Sequence, residues 1–129
     1  MTFQSAKSLS FPVLEATVIR QRRFVVIGAN GNVVEANDGE AAIGVALEAT
    51  TNTESDAIPI APLDGSIVEV EAGAAIDVTS AAVSVASDND GRAITATLND
   101  NILGVALDSA TAAGQIIRVF GLKPGAVSA

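Results

Sequence analysis

The chain has 129 residues, of which 49% are apolar, and its formal net charge is −8. This length suits one domain, or two very small domains that share a core. The chain contains no cysteine and no histidine, which excludes disulfides, thiolate chemistry and the commonest general base and transition-metal ligand. An enzyme mechanism would have to rest on carboxylates, lysine, or serine and threonine.

The N-terminal residues 1–12, MTFQSAKSLSFP, follow neither a helical nor a strand period and end at a proline. We predict an extended arm here with Phe3 and Phe11 as anchors, because an exposed phenylalanine without a partner is unfavourable. No segment has the form of a secretory signal or the ~20 apolar residues of a membrane span. The sequence therefore predicts a soluble protein that is synthesised in a cytoplasm and has no membrane partner.

Charge is distributed unevenly along the chain. Residues 1–23 carry four basic side chains against one acid, a net charge of +3, whereas residues 24–129 carry three basic side chains against fourteen acids, a net charge of −11. Nucleic-acid binding is not expected, because phosphate contact requires a broad basic face. The basic residues Arg20, Arg22 and Arg23 either dock on an acidic partner or fold back and neutralise the body of their own chain.

From residue 23 onward the hydrophobic pattern is that of short β-strands. Runs rich in Val, Ile and Thr are separated by turn residues about every ten positions, as in sandwiches and barrels. The predicted strands are RFVVIG (23–28), NVVEA (32–36), SIVEVEA (66–72), AAVSVAS (81–87), RAITATL (92–98), ILGVALD (102–108) and QIIRVFG (115–121). The fold class that follows is all-β.

The chain repeats itself after sixty residues. ANGNVVEANDGEAAIGVALEAT (29–50) aligns with NDGRAITATLNDNILGVALDSA (89–110). After a one-residue shift, IPIAPLDG (58–65) aligns with IRVFGLKPG (117–125). We therefore predict a duplicated unit made of a strand, a tight turn, a strand, a Gly-Val-Ala-Leu strand, a loop and a further strand.

The turn residues support the duplication. Asn30-Gly31 and Asp90-Gly91 fall at matching positions between two strand-like runs, which is the strongest short-range hairpin signal, and both residues of such a turn are expected at positive φ. The predicted organisation is the arm at 1–12, a β domain at 13–121 and a short tail at 122–129. The two units of the β domain lie at about 24–63 and 84–122.

Gly44 and Gly104 occupy matching positions inside the repeated Gly-Val-Ala-Leu strands. A glycine inside a strand weakens it unless the strand bulges or another backbone approaches closely. Two interpretations follow: a bulge that bends a small barrel, or a close contact within the subunit or across a subunit boundary.

Two glycine-containing motifs that resemble ligand loops are better explained as hairpin turns. DNDG (88–91) resembles part of a calcium loop, but with Gly91 at position 6 the ligand positions 1 and 12 fall on Ala86 and Thr97. GANGN (28–32) lacks the following helix and the lysine of a phosphate loop. No metal or cofactor is therefore predicted.

Glu69 and Glu71 lie two residues apart on one face of a predicted strand. Such a pair can perform acid–base catalysis when the environments of the two carboxyls separate their pKa values, but a solvated strand face shows the same pattern. The chain has no Trp or Tyr to stack on a sugar ring. We therefore predict no catalytic residue.

The segment ILGVALDSATAAGQIIRVFG (102–121) resembles the signature of phage head-decoration proteins, also called capsid cement proteins. RFVVIGANGNVVEANDGEAAIGVAL (23–47) is similar to the opening of the same family, and the resemblance covers most of residues 23–121. The positions that carry it are Gly104, Val105, Ala106, Ala110 and Gly114. Two features depart from the family pattern: the Gly-Val-Ala-Leu block occurs twice, and the N-terminal arm has no residue-by-residue match.

The resemblance implies a small barrel-like or tulip-like β protein on the outer surface of an assembled icosahedral phage capsid. Such proteins are often homotrimers that clamp neighbouring subunits of the major capsid protein, and they perform no chemistry. On this basis we expect capsid contact at Phe3, Phe11, Arg20, Arg22 and Arg23, and a bend or subunit contact at Gly44 and Gly104.

Two other classes of function stay open at this point. A tail or adhesin β-domain would bind a cell rather than a shell. A carboxylate-based enzyme or sugar-binding domain would depend on Glu69 or Glu71.

Overall fold

The computed structural model describes residues 9–13, 17–50 and 56–122. Within these ranges the chain forms ten short strands and one 3-10 turn, so the all-β fold class is confirmed. The strands are β1 (Leu9–Val13), β2 (Phe24–Ile27), β3 (Val33–Glu35), β4 (Gly44–Ala46), β5 (Asp56–Pro62), β6 (Ile67–Glu71), β7 (Ser84–Ser87), β8 (Ala93–Thr95), β9 (Gly104–Ala106) and β10 (Ile116–Gly121), and the 3-10 turn is Ala29–Gly31.

The ten strands form two antiparallel sheets with the same topology. One sheet has the order β1-β5-β4-β2-β3 and the other has the order β6-β10-β9-β7-β8. We call β1–β5 the first unit and β6–β10 the second unit. The two similar β-units are therefore confirmed, and each unit gains a strand, β1 or β6, that the sequence alignment did not pair.

The strand register confirms the one-residue shift in the alignment. In the first unit Gly44 pairs with Pro62 and Val45 with Ala61. In the second unit Gly104 pairs with Gly121 and Val105 with Phe120. Positions on β4 and β9 therefore differ by sixty residues, whereas their partners on β5 and β10 differ by fifty-nine.

The two hairpin turns differ in one residue from the prediction. Asn30 and Gly31 both have positive φ, 57° and 76°, as expected. In the second turn Gly91 has φ 74°, whereas Asp90 does not have positive φ, so that expectation is wrong for Asp90. The Asp88 carboxylate instead accepts hydrogen bonds from the Asp90 and Arg92 amides, both at 2.8 Å, and the loop is a three-residue turn closed by the glycine.

Neither sheet closes into a barrel in the described part of the chain. The edge strands of the second sheet approach each other at a single bridge between Ala72 and Ala93, without a ladder between β6 and β8. The described strands of each unit therefore form an open five-stranded sheet rather than the predicted barrel-like shape.

The outermost strand of the first sheet overlaps the predicted arm. Leu9–Val13 pairs with β5, and Phe11 lies opposite Ile58. Pro12 is tolerated here because an edge strand needs no hydrogen bond on its outer side. Residues 1–8 of the predicted arm and residues 123–129 of the predicted tail lie outside the described residues.

Alternation along the strands sorts the apolar side chains into two clusters. The interior of the first unit contains one cluster: Val13, Ile19, Val25, Val33, Ala46, Ile58 and Ile60. The other face of the same sheet contributes Phe24, Val45 and Ala61 to a larger cluster that includes Val68, Val70, Val85 and Val119 of the second unit. The centre of the first sheet is thus buried on both faces, whereas most of β1 is exposed, and the two units share a core.

Gly44 and Gly104 both lie where the neighbouring strand approaches closely. Both are buried. A Cβ atom at Gly44 would overlap the Ala61 carbonyl oxygen, and one at Gly104 would overlap the Phe120 carbonyl oxygen. The close approach seen in the structure is between strands of one chain; a bend or a contact with a second subunit at these glycines stays a prediction.

Substituting Gly44→Ala or Gly104→Ala should destabilise the protein by about 1–3 kcal/mol, because the added methyl group forces two paired backbones apart. Urea denaturation of each variant measures the change. Gly28→Ala is the matched control: its Cβ would meet nothing closer than 3.5 Å on extended backbone, so it should change stability by less than about 1 kcal/mol. Equal losses in all three variants would contradict the steric explanation.

Candidate interaction surface

The three predicted contact arginines lie on the segment that leads into β2, and each pairs with acids of the same chain. The Arg20 guanidinium donates to both carboxylate oxygens of Glu35, at 3.1 and 2.8 Å, and its amide donates to Glu35 Oε2 at 2.7 Å. Asp90 lies 3.6 Å from Arg20 Nη2. The hydrogen bonds to Glu35 raise the pKa of Arg20.

Arg22 joins the two units through its backbone. Its φ of 62° is uncommon for a residue other than glycine. Its amide donates to the Ala46 carbonyl at 2.8 Å, and its carbonyl accepts from the Glu71 amide at 3.0 Å. The side chain, which is exposed, lies 3.3 Å from Glu69, so one residue connects β4 of the first unit to β6 of the second.

Arg23 is buried between the units, with 6% of its surface exposed. Its Nη2 donates to Glu71 Oε2 at 3.1 Å, and its Nη1 donates to the Asp90 carbonyl at 3.0 Å. Its Nε is buried and has no hydrogen-bond partner among the described residues. Because a buried charge without a partner is costly, Glu71 and Asp90 fix the position of this side chain.

Glu71 and Asp90 also form ion pairs with Arg92 of the second unit. The Arg92 guanidinium lies 3.2 Å from Asp88, 3.6 Å from Asp90 and 3.9 Å from Glu71. The DNDG motif (88–91), which resembles part of a calcium loop, thus contributes two acids to an ion-pair network. Of the two interpretations of the basic segment, the isolated chain agrees with the second: Arg20, Arg22 and Arg23 pair with acids of their own chain. Their contact with a capsid stays a prediction.

The two predicted phenylalanine anchors have different outcomes. Phe11 lies on β1, half-buried, and packs against the interior cluster of the first unit, so it anchors the strand to its own chain. Phe3 lies outside the described residues.

The carboxylates considered for catalysis have structural partners. Glu69 pairs with Arg22, and Glu71 pairs with Arg23 and Arg92. Residues 9–13, 17–50 and 56–122 contain no group of three or more acidic side chains that could hold a metal ion. In the same ranges no helix is long and apolar enough to cross a membrane.

An apolar patch on the outer face of the second sheet was missed in the sequence analysis. It consists of Ile67, Ser84, Val105 and Phe120, which we call the outer patch. Phe120 pairs with Ile67 on one side and with Val105 on the other, and Val105 pairs with Ser84. Phe120 is 39% exposed, and the other three are half-buried. The alternation in QIIRVFG already places Phe120 on the face opposite the buried Ile117 and Val119, so its position on the outer face could have been predicted from the sequence.

Removing the negative charge of Glu71 should destabilise the protein more than removing that of Glu69. Glu71→Gln leaves the buried Arg23 charge without its carboxylate, a loss of about 3 kcal/mol. Glu69→Gln affects an exposed pair with Arg22, a loss of less than about 1 kcal/mol. Urea denaturation at neutral pH compares the two, and equal losses would contradict the role assigned to Arg23.

An exposed ion pair on β10 should give a small acid-dependent contribution to stability. Arg118 donates to both carboxylate oxygens of Asp108, each at 2.9 Å, and these hydrogen bonds lower the pKa of Asp108 to about 2. The lowered pKa means that the pair stabilises the fold above the unfolded-state pKa of about 3.9 and loses this effect as pH falls through about 2.

Asp108→Asn should therefore cost less than about 1 kcal/mol near neutral pH, and the difference from the unsubstituted protein should vanish below about pH 2. The Arg118→Gln variant should likewise be less stable than the unsubstituted protein near neutral pH, and this difference should also vanish below about pH 2. Denaturation curves from pH 7 down to about pH 1 measure both, and a difference that does not depend on pH would count against the pair.

Two comparisons with known proteins give matches. A family model described as phage cement protein matches residues 3–121. Among solved structures, the chain is similar to the crystal structure of the head fiber gp8.5 N base in bacteriophage phi29, with a TM-score of 0.73 and 17% identity over 95% of this chain and 100% of that chain. At this identity the likeness concerns the fold alone. No curated protein matches the chain.

Proposed function

The chain belongs to the phage cement protein family and is thus a structural protein of a phage virion; from this premise we propose that it binds the outer surface of an assembled icosahedral capsid. It contacts the major capsid protein, holds neighbouring capsid subunits together and associates with itself as a homotrimer. It is synthesised in the host cytoplasm and performs no catalytic step.

The observation that carries this proposal is the family match over residues 3–121, which includes most of the predicted arm as well as both units. The ion-pair network supports it from the physical side. Because Arg23 is buried and paired within the chain and the two units share a core, the units pack directly against each other. A clamp between capsid subunits requires units that are joined in this way.

We propose that the N-terminal residues 1–8 reach a neighbouring capsid subunit. They precede β1, which lies at an edge of the first sheet, and they contain Phe3 and Lys7. Eight fully extended residues span at most about 28 Å. Phe3 supplies apolar contact area, whereas Lys7 is the one basic residue of this segment.

Capsid stabilisation needs only a difference in affinity. A protein that binds the assembled lattice more tightly than free subunits shifts the equilibrium toward the closed shell. Because the same contact is repeated over the lattice, many weak individual contacts together give strong overall stabilisation of the shell.

Deleting residues 2–8 while keeping β1 should weaken binding to empty capsids of the phage by about tenfold or more, because the proposed arm contact is lost. Co-sedimentation of the protein with capsids over a concentration series measures this. The deletion should leave the midpoint of urea denaturation unchanged, since β1 retains its pairing with β5. A second variant, Phe3→Ser, isolates the aromatic contact from the length of the arm.

Two results would count against the proposal. Unchanged binding after the deletion would remove the arm from the contact. Failure of the full-length protein to sediment with capsids, together with binding to host cells, would favour a tail or adhesin function instead.

A further inference from the structure

The duplication allows one unit to be used as a reference for the other. In the first unit Phe24, Val45 and Ala61 form a row on the outer face of the sheet, and they are 0%, 1% and 0% exposed because the second unit covers them. The equivalent residues of the second unit are Ser84, Val105 and Phe120, and they form the outer patch. Nothing in the described part of the chain covers this patch in the corresponding way, since Phe120 is 39% exposed.

This asymmetry defines the type of contact between the units. In a two-fold arrangement the same surface of each unit would be buried. Here the outer row of one unit meets a different surface of the other, which is a heterologous contact. A heterologous contact leaves one unused copy of each surface, and the unused outer row is the outer patch.

The outer row packs against buried side chains of the second unit, among them Val68, Val70, Val85 and Val119, and two further parts of that unit border it. One is the turn at 89–91, where the Gly91 carbonyl accepts from the Phe24 amide at 2.7 Å. The other is the free edge of β6, where the Glu71 amide donates to the Arg22 carbonyl at 3.0 Å.

The first unit carries unused equivalents of these two bordering parts. The turn Ala29–Gly31 corresponds to residues 89–91, its residues are exposed, and a Cβ atom at Gly31 would meet nothing within 4 Å. By the strand register, β1 corresponds to β6 and Pro12 corresponds to Glu71.

The charges at the two unused surfaces also match each other. Within the chain, Arg22 and Arg23 meet Glu69, Glu71 and Asp90. The positions equivalent to the two arginines carry Ala82 and Val83, and those equivalent to the three acids carry Ser10, Pro12 and Asn30. None of these positions is charged, so joining the two surfaces would bury no unpaired ion at them.

We propose that the outer patch is covered by the first unit of a second copy of this chain, whose turn Ala29–Gly31 and strand β1 repeat the contact made inside each chain. The proposal rests on the self-association in the proposed function and not on capsid binding. In this arrangement the Ser84 amide donates to the Gly31 carbonyl of the second copy. Pro12 has no N–H group and cannot replace the Glu71 donor, so the contact between copies is weaker than the contact within a chain.

The first test compares two substitutions at equally exposed apolar residues. Sedimentation equilibrium of the full-length protein should show self-association, and Phe120→Asp should weaken it by about tenfold or more. Leu107→Asp is the control: Leu107 is also 39% exposed, but its equivalent, Leu47, remains 38% exposed within the chain, so the repeated contact would not cover it. Circular dichroism confirms that both variants are folded.

The second test builds the missing ion pair between copies. The chain carrying both Val83→Arg and Pro12→Glu recreates the Arg23–Glu71 pair and restores an amide donor on β1. It should associate about tenfold more tightly than the unsubstituted chain, whereas Val83→Arg alone should weaken association. Only a contact that brings position 83 of one copy against position 12 of another predicts this gain.

The possible failures are distinguishable. A protein that stays monomeric at millimolar concentration would overturn this proposal and the proposed homotrimer, while leaving capsid binding to the co-sedimentation measurement. Association that responds equally to Phe120→Asp and Leu107→Asp, or that the paired substitution fails to strengthen, would overturn the outer patch as the contact. In that case the outer patch would instead be covered by the chain's own terminal segments or by the capsid.

Discussion

The placement of Arg23 between the two units is the constraint on which the rest of the structure depends. Its guanidinium is buried against Glu71 and the Asp90 carbonyl, and its neighbour Arg22 bonds through its backbone to both units. These are directional contacts, whereas the apolar contact between Phe24, Val45 and the second unit could form in several orientations. The ion pair therefore selects one relative placement, as buried polar groups do in some other proteins.

Once the units are placed in this way, their similar sheets have different surroundings. The centre of the first sheet is buried on both faces, whereas the second sheet has one face in the shared core and an outer face that is partly exposed. Duplication has thus produced a chain with two dissimilar ends: the turn at 29–31 with β1 at one, and the outer patch at the other. A structural protein that assembles on a lattice needs directional surfaces of this kind.

Much of the fold could be predicted from the sequence, because its signals are local. The alternation of Val and Ile identified most strands, and the matched turns and Gly-Val-Ala-Leu blocks identified the duplication. The sequence predicts an arm at 1–12, and not a strand at Leu9–Val13, because these residues show no strand period and include Pro12; only the register with β5 reveals that β1 is equivalent to β6. Asp90 adopts a different turn conformation because the Asp88 side chain, which has no counterpart at Gly28, accepts the turn amides.

The candidate site was harder to predict, because ion pairing depends on residues far apart in sequence. Arg23 lies 48 positions from Glu71 and 67 positions from Asp90 in the sequence. No local sequence pattern distinguishes an arginine that pairs within its own chain from one that binds another protein. Phe120 could have been found from the alternation in its strand, but its significance emerges only when its equivalent in the first unit is seen to be covered.

The most direct test of the central claim is an electron cryomicroscopy reconstruction of empty capsids incubated with the purified protein. We predict density for the two-unit chain on the outer surface, spanning the boundary between neighbouring capsid subunits, with the N-terminal segment against the shell. Reconstructions in which the outer surface is the same with and without the protein would contradict its function as a cement protein.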